Sequence, residues 1–452
     1  MNPNTLLVDA GDLLPTQSDL QGELKGEVLA RAYALMDYDA ITLGETDLLF
    51  GMAYLRDLIS RFDLPVVSMN VGQRAGSAAT DADETGESTI DAGDRYEENP
   101  NESGTKRGRA SDSDPSRSSG GETSRTEERA PGEEVERVAR EIDEAAREAD
   151  ERPGEFPDYV LKNMDGVKVA IVGLLNHRVA LPASVIDSVR IGHMEKYLER
   201  FLPQVRKEAD LVVALAHCGS VERARVIAGA FDDLDVVVAA HVGPSAPHFE
   251  ELNEAIVVYT RDRGRYVGRL DLDLDANKKI VGFDQETVPV APSLPRDPEV
   301  LGLLSEYIDR LKVLVTSAAF RPTVNDVREP ETNYLSSYAC VDCHTEQYEG
   351  WSETPHAHAF ETLENKDRDF DPDCQKCHTT GFRYRSGFVT PRGTPQHKGV
   401  GCEACHGPGG DHLDDPTATY GKITEAVCVF CHTRHNSPEF VYEKYLDEVR
   451  HD

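Results

Sequence analysis

Four pentapeptides of one form constrain this chain more than any other feature: CVDCH at Cys340–His344, CQKCH at Cys374–His378, CEACH at Cys402–His406 and CVFCH at Cys428–His432. They hold eight of the nine cysteines. Zinc ribbons and disulfide frameworks also use C-x-x-C pairs, but neither requires a His directly after the second Cys. With 15 His in 452 residues, four such coincidences would arise about once in a million. C-x-x-C-H is the attachment signature for c-type haem, in which both thiols add to porphyrin vinyl groups and the His ligates iron. The pattern assigns Cys340, Cys343, His344, Cys374, Cys377, His378, Cys402, Cys405, His406, Cys428, Cys431 and His432 to four covalently bound haems c. Stacked haems would supply the core that this aliphatic-poor region lacks. Without them it is expected to be largely unfolded, as small metal-dependent domains are.

The rest of the chain reads differently. Residues 5–72 alternate strand and helix: a buried strand read from Asn4 to Asp9 and ending in Ala-Gly-Asp12, a helix from Glu23 to Met36, and strands at Asp39–Leu43 and Pro65–Val71. Residues 73–155 are rich in Ser, Gly, Asp, Glu, Arg and Thr, with few large apolar residues, and read as a disordered insertion. Only residues 133–150 within it look helical. From Phe156 the α/β pattern resumes, with strands at Val167–Gly173, Leu211–Ala216, Asp235–Ala240, Ile256–Tyr259 and Tyr266–Leu274 and a helix at Met194–Glu208. Pro298–Thr316 reads as a helix. The domains expected are therefore α/β at 1–72 and 156–295, the insertion at 73–155, a helical connector at 296–335 and a mostly α or irregular haem domain at 336–452. Cys218 reads as a small buried hydrophobe and Asn176-His177 as a loop feature.

A formal net charge of −34 argues against nucleic acid and anionic membranes as partners. No stretch is apolar and long enough to span a bilayer. The opening MNPNTLLVDAGD lacks a signal peptide, whereas c-type haems are attached on the export side. The expectation is a truncated start and a periplasmic or extracellular location.

His356, His358, His397, His412, His435 and His451 remain as candidates for the far side of four irons. The strings Trp351–Ala359, CHTTGF at Cys377–Phe382, VGCEACHGPGGDH at Val400–His412 and CHTRHNSPEF at Cys431–Phe440 resemble the tetrahaem cytochromes of the hydroxylamine-oxidation pathway, over about residues 336–452. The resemblance implies His356 and His412 as distal ligands, with His451 a further candidate and His358 and His397 below them. It also implies electron transfer between redox protein partners, with one haem that can lack a distal protein ligand.

The α/β region resembles the metallophosphatase fold of the 5′-nucleotidase family. LLVDAGD (Leu6–Asp12), YDAITLGETDLLFG (Tyr38–Gly51), ADLVVALAHCG (Ala209–Gly219), DVVVAAHVG (Asp235–Gly243) and the run Gly264–Ile280 carry the likeness. That family uses two metals about 4 Å apart to activate water and hold phosphate. The D-x-H motif of its first strand is absent here. Its G-N-H-E segment reads Gly-Glu45-Thr46-Asp47, and its last motif has His241 but Gly243 at the second His position. Asp12, His217 and His241 survive as a vestigial site. Three readings of this region remain open: a non-catalytic domain, a remodelled site for one divalent ion (Mn, Zn or Fe) using Glu45, Asp47, His217 and His241, and an active phosphoester hydrolase with accessory haems. The first, joined to a multihaem electron carrier, is the favoured expectation.

Overall fold

The computed structural model describes residues 4–74, 154–316 and 330–451, apart from 244, 262–263, 292, 331, 418–419, 422 and 434–435. The helix expected at 133–150 and His435 lie outside the described residues. Two compact units emerge, Met1–Thr16 with Tyr33–Pro295, and Gln17–Ala32 with Arg296–Asp452. The boundary falls within α1 (Leu20–Met36).

The first unit is α/β. Strand β1 (Val8–Asp9) pairs in parallel with β2 (Ala40–Ile41). The short α2 (Glu45–Leu48) and then α3 (Gly51–Phe62) follow β2. β3 (Val71–Gln73) leads to the insertion, and β4 (Tyr159–Met164) and β5 (Val167–Leu175) resume beyond it. Here the expectation needs correction: Gln73 pairs with Val189 and Glu155 N donates to Val71 O at 2.9 Å, so both ends of 73–155 belong to the fold. After α4 (Ala183–Ile186), β6 (Val189–Ile191) pairs with β3. Then come α5 (Met194–Glu208), β7 (Leu211–His217), α6 (Val221–Ala230), β8 (Val236–Ala240), β9 (Phe249–Leu252) and β10 (Ala255–Tyr259). They build a six-stranded sheet, β4-β5-β7-β8-β10-β9, whose four central strands are parallel. β11 (Tyr266–Leu274) and β12 (Ile280–Pro289) form an antiparallel hairpin.

Burial on both faces explains the near-continuous apolar run of β5, since a parallel sheet is covered on each side. Successive side chains alternate faces. Ala170, Val172 and Leu174 join Met194, Tyr197 and Leu198 of α5 in one core. Val169 and Ile171 join Ala10, Ala40 and Val67 in the other. The layering leaves the C-terminal ends of β1, β2, β7 and β8 free to carry chemistry, as strand ends do in open α/β sheets.

The second unit is mostly helical. Leu24 of α1 packs with Tyr307 and Leu311 of α7 (Pro298–Thr316), with Val28 beside them. Glu27 accepts two bonds from Arg310 at 2.9 and 3.0 Å, and Arg31 meets Glu306 at 2.7 Å. Apolar residues on that face of α1 therefore group residues 17–32 with the haem-motif region, although sequence pattern alone assigned them to the α/β domain. Short helices follow: α8 (Thr345–Ser352), α9 (Ala359–Glu364), α10 (Pro372–His378), α11 (Cys402–His406), α12 (Gly410–Asp414), α13 (Glu425–Val429) and α14 (Tyr442–Val449). The side-chain core near α9 is small: Phe360, Leu363 and Phe388. Among the described residues, no helix is long and apolar enough to cross a membrane.

Candidate functional site

The haem motifs sit on single helical turns. His344 N and His432 N donate to the carbonyls of Cys340 and Cys428, each at 2.9 Å, while α10 and α11 contain the CQKCH and CEACH residues outright. Residues three and four apart on a turn share a face, so the two thiols and the imidazole project together. None of the nine cysteines is in a disulfide.

Three motif imidazoles are oriented through Nδ1: His378 to Ala359 O at 2.7 Å, His406 to Gly421 O at 3.0 Å, and His432 to Ser437 Oγ at 3.1 Å. A metal-ligating His is commonly fixed in this way through its second nitrogen, leaving Nε2 for the metal. Three motif histidines also face a second His. Ring centroids are 6.4 Å apart for His344 and His412, 5.9 Å for His406 and His451, and 5.9 Å for His432 and His356. Imidazole nitrogens bind such metals at about 2 Å, with the ring centre roughly 1 Å beyond, so two axial rings on one iron lie about 6 Å apart. The residues present fit haem c on this geometry. His378 has no such ring opposite it among the described residues. Burial pushes His432 and His356 towards the neutral imidazole that a metal needs.

Of the lower-ranked histidines, His358 is engaged elsewhere, with Nδ1 on Glu361 and Nε2 on Ser352 O, both at 3.0 Å. His397 is 2 % exposed and faces no motif histidine among the described residues. Sequence reasoning overlooked Glu403, inside the CEACH motif. It is 2 % exposed and accepts from the backbone N–H of Leu335, Ser336 and Gly409 at 2.8–2.9 Å. A Glu within a haem motif reads as a solvated charge, so only its fold neighbours reveal it.

In the α/β unit, Asp12, Glu45, His217 and His241 each place a ligand atom within 4.8 Å of the others. They come from the ends of β1, β2, β7 and β8. His217 Nδ1 donates to Ala10 O at 2.9 Å, leaving Nε2 2.7 Å from Glu45 Oε2 and 3.1 Å from His241 Nδ1. His241 Nδ1 lies 2.6 Å from Glu45 Oε1. Burial favours neutral His217, but the bond to Glu45 and the charge of Asp12 prevail and raise its pKa to about 9. Burial likewise opposes charge on Glu45, yet both imidazoles hold it well below the usual carboxylate range. Asp12 and His241 adopt left-handed backbone, φ 67° and 56°; such strain clusters at functional sites.

One expected ligand is corrected. Asp47 is 1 % exposed and turns away from the cluster, accepting from Gly44 N, Leu14 N and Asp12 N at 2.8, 2.8 and 3.0 Å. Its carboxylate orders the two loops instead. Burial pushes its pKa up to about 7 against those three donors. A cleft beside His241, lined by Ser220, Arg225 and Gly243, gives solvent access. Two imidazoles and two carboxylates suit a single Zn, Mn or Fe ion.

Strand-end carboxylates and imidazoles on an α/β sheet and C-x-x-C-H turns in a helical region describe a two-part protein, one part resembling 5′-nucleotidase-type metallophosphatases and the other similar to c-type cytochromes. Residues 339–407 match the family described as Cytochrome c554 and c-prime. Cytochrome c-554 of Nitrosomonas europaea is 34 % identical over 118 residues, 22 % of this chain and 50 % of that protein. The trifunctional nucleotide phosphoesterase protein YfkN of Bacillus subtilis is 26 % identical over 192 residues, 39 % of this chain and 13 % of the relative. The apyrase of Aedes aegypti is 26 % identical over 160 residues, 30 % and 28 % respectively. The chain thus spans half the length of the first relative and under a third of the other two.

Proposed function

We propose that the second unit binds four haems c and passes electrons between redox proteins in the periplasm or extracellular space, and that the α/β unit keeps a phosphatase fold without phosphatase chemistry. One observation carries the first part: three of the four motif histidines face a second imidazole at about the separation that a shared iron requires, 5.9 to 6.4 Å. Bound haem supplies a one-electron ferric/ferrous change. Two imidazoles per iron keep coordination constant through that change and exclude substrate, which suits transfer rather than catalysis. On this reading His412, His451 and His356 would be held with His344, His406 and His432 as ligand pairs, and His378 would bind its haem with no second His opposite it among the described residues. The Cys340 side chain lies beside that of Cys402, and Cys377 beside Cys431, so attachment points of different haems would sit near one another.

Intact mass and reduced absorbance of the holoprotein test it. Four covalent haems and one carbon monoxide bound per chain are expected. Absence of covalent haem refutes electron transfer, and any other carbon monoxide count refutes the ligand assignment.

The four-residue cluster favours a second element of the reading: one divalent ion at Asp12, Glu45, His217 and His241. Phosphoester hydrolysis by this family's chemistry needs two, and Gly243 offers no side chain. Metal analysis should give one ion per chain, lost in His217→Ala. Two ions, together with Mn²⁺- or Zn²⁺-dependent phosphatase activity abolished by His217→Ala, would restore the hydrolase reading.

A further inference from the structure

We propose that Lys25, on α1, is a positioning residue for the CQKCH haem: it holds Asp373 beside Cys374 and so sets that haem's reduction potential. The inference rests on the electron-transfer reading. Nothing in the sequence links α1 to a haem motif, since its pattern belongs to the α/β region.

The contacts are specific. Lys25 Nζ forms an ion pair with Asp373 Oδ2, whereas the local Lys376 reaches only to 3.7 Å from Asp373 Oδ1. Gln21, one turn earlier and 2 % exposed, donates through Nε2 to Asp371 Oδ1 at 3.2 Å, and lies 3.2 Å from Tyr307 Oη and 3.4 Å from Asp373 Oδ2. Asp371 is 5 % exposed and caps α10 by accepting from Asp373 N at 3.0 Å. The helix that carries Cys374, Cys377 and His378 is therefore seated on α1 at its N-terminal end. Leu24, packed with Tyr307 and Leu311, anchors α1 in place.

The four motifs differ at the residue before the first thiol. It is Ala339, Asp373, Gly401 and Val427 in turn, so CQKCH is the one motif with a carboxylate directly before its first thiol; Asp342 and Glu403 stand between the thiols of CVDCH and CEACH instead. Burial alone would raise the Asp373 carboxyl, but the bond to Lys25 overrides it and holds the group ionised. A ferric haem carries one more positive charge than a ferrous one, so nearby charge shifts the potential directly. Paired with Lys25, Asp373 is neutralised. Unpaired, it would favour the ferric form.

The test is a potentiometric titration of the full-length holoprotein, wild type against Lys25→Met, with haem content checked by mass. One of four midpoints is expected to fall and three to stay, and Lys25→Arg is expected to restore the wild-type titration. Lys25→Gln provides a second, smaller neutral replacement, and the same single midpoint should fall in it. Four loaded haems with no midpoint moved, or with all four moved together, overturn this inference alone. A wild-type chain without covalent haem overturns the electron-transfer reading instead.

Discussion

Replacing Gly44 by Ala tests whether the strand-end cluster is a built site. Gly44 has φ −109° and ψ −179°, extended backbone that Ala adopts without strain, so any effect must come from the added methyl. That methyl would lie 2.2 Å from Asp12 Oδ1, 2.6 Å from Asp12 N and 2.8 Å from Asp12 Cγ. Ordinary contact begins near 3.4 Å, so the Asp12 carboxylate must retreat by about 1 Å, as in an overpacked core. Asp12 cannot retreat freely: Thr46 N and Oγ1 both donate to its Oδ1 at 3.0 Å, and its own N–H is held by Asp47. Overpacking costs about 1–3 kcal/mol, and weakening bonds to a charged acceptor adds roughly 1.5–3 kcal/mol. The lower unfolded-state entropy of Ala returns about 0.4–1 kcal/mol. A net loss of about 1.5–5.5 kcal/mol is expected in urea unfolding followed by far-ultraviolet circular dichroism, together with at least tenfold weaker binding of Mn²⁺ or Zn²⁺. A variant with wild-type midpoint and metal affinity would refute the packing described for this site.

Three further outcomes follow from particular side chains. Glu403→Ala strips the acceptor from the N–H groups of Leu335, Ser336 and Gly409, each costing about 1–3 kcal/mol when left buried and unpaired. The holoprotein should unfold at clearly lower denaturant and bind less haem at CEACH, as read by peptide mass; unchanged values would exclude the structural role. In the metal-free chain, His217 has its pKa raised from 6.5 to about 9 by Glu45 and Asp12 against the effect of burial. By linkage this contributes about 3 kcal/mol, fully present below pH 6.5 and lost as pH rises through 9. Urea midpoints in chelator should therefore fall between pH 7 and pH 10, and a flat profile would contradict the cluster's electrostatics. Burial pushes the Cys218 thiol up to about 12, so native holoprotein should resist alkylation at pH 8 and take one label once unfolded.

The fold class was legible because its signals are local. Met194–Glu208, Tyr266–Leu274 and Pro298–Thr316 run where the apolar pattern places them. The short edge strands were harder. Asn4–Asp9 shrinks to Val8–Asp9, and Pro65–Val71 to a bridge at Val66 and a strand from Val71, because pairing partners rather than propensity decide where such a strand counts.

The sequence by itself determined where haem attachment is proposed, since two thiols and an imidazole within five residues need only one helical turn to meet. It also placed Glu45 and Thr46 where the resembled family has Asn and His, and Gly243 where it has a second His. Tertiary structure alone decided which histidine faces which: His356 lies 76 positions from its neighbour His432, and His358, two residues on, turns to Glu361 instead. It decided that Asp47 orders loops while Glu45 joins the cluster, and that Lys25 reaches Asp373. Such contacts join groups far apart in the chain, and no periodicity or spacing along it encodes their approach.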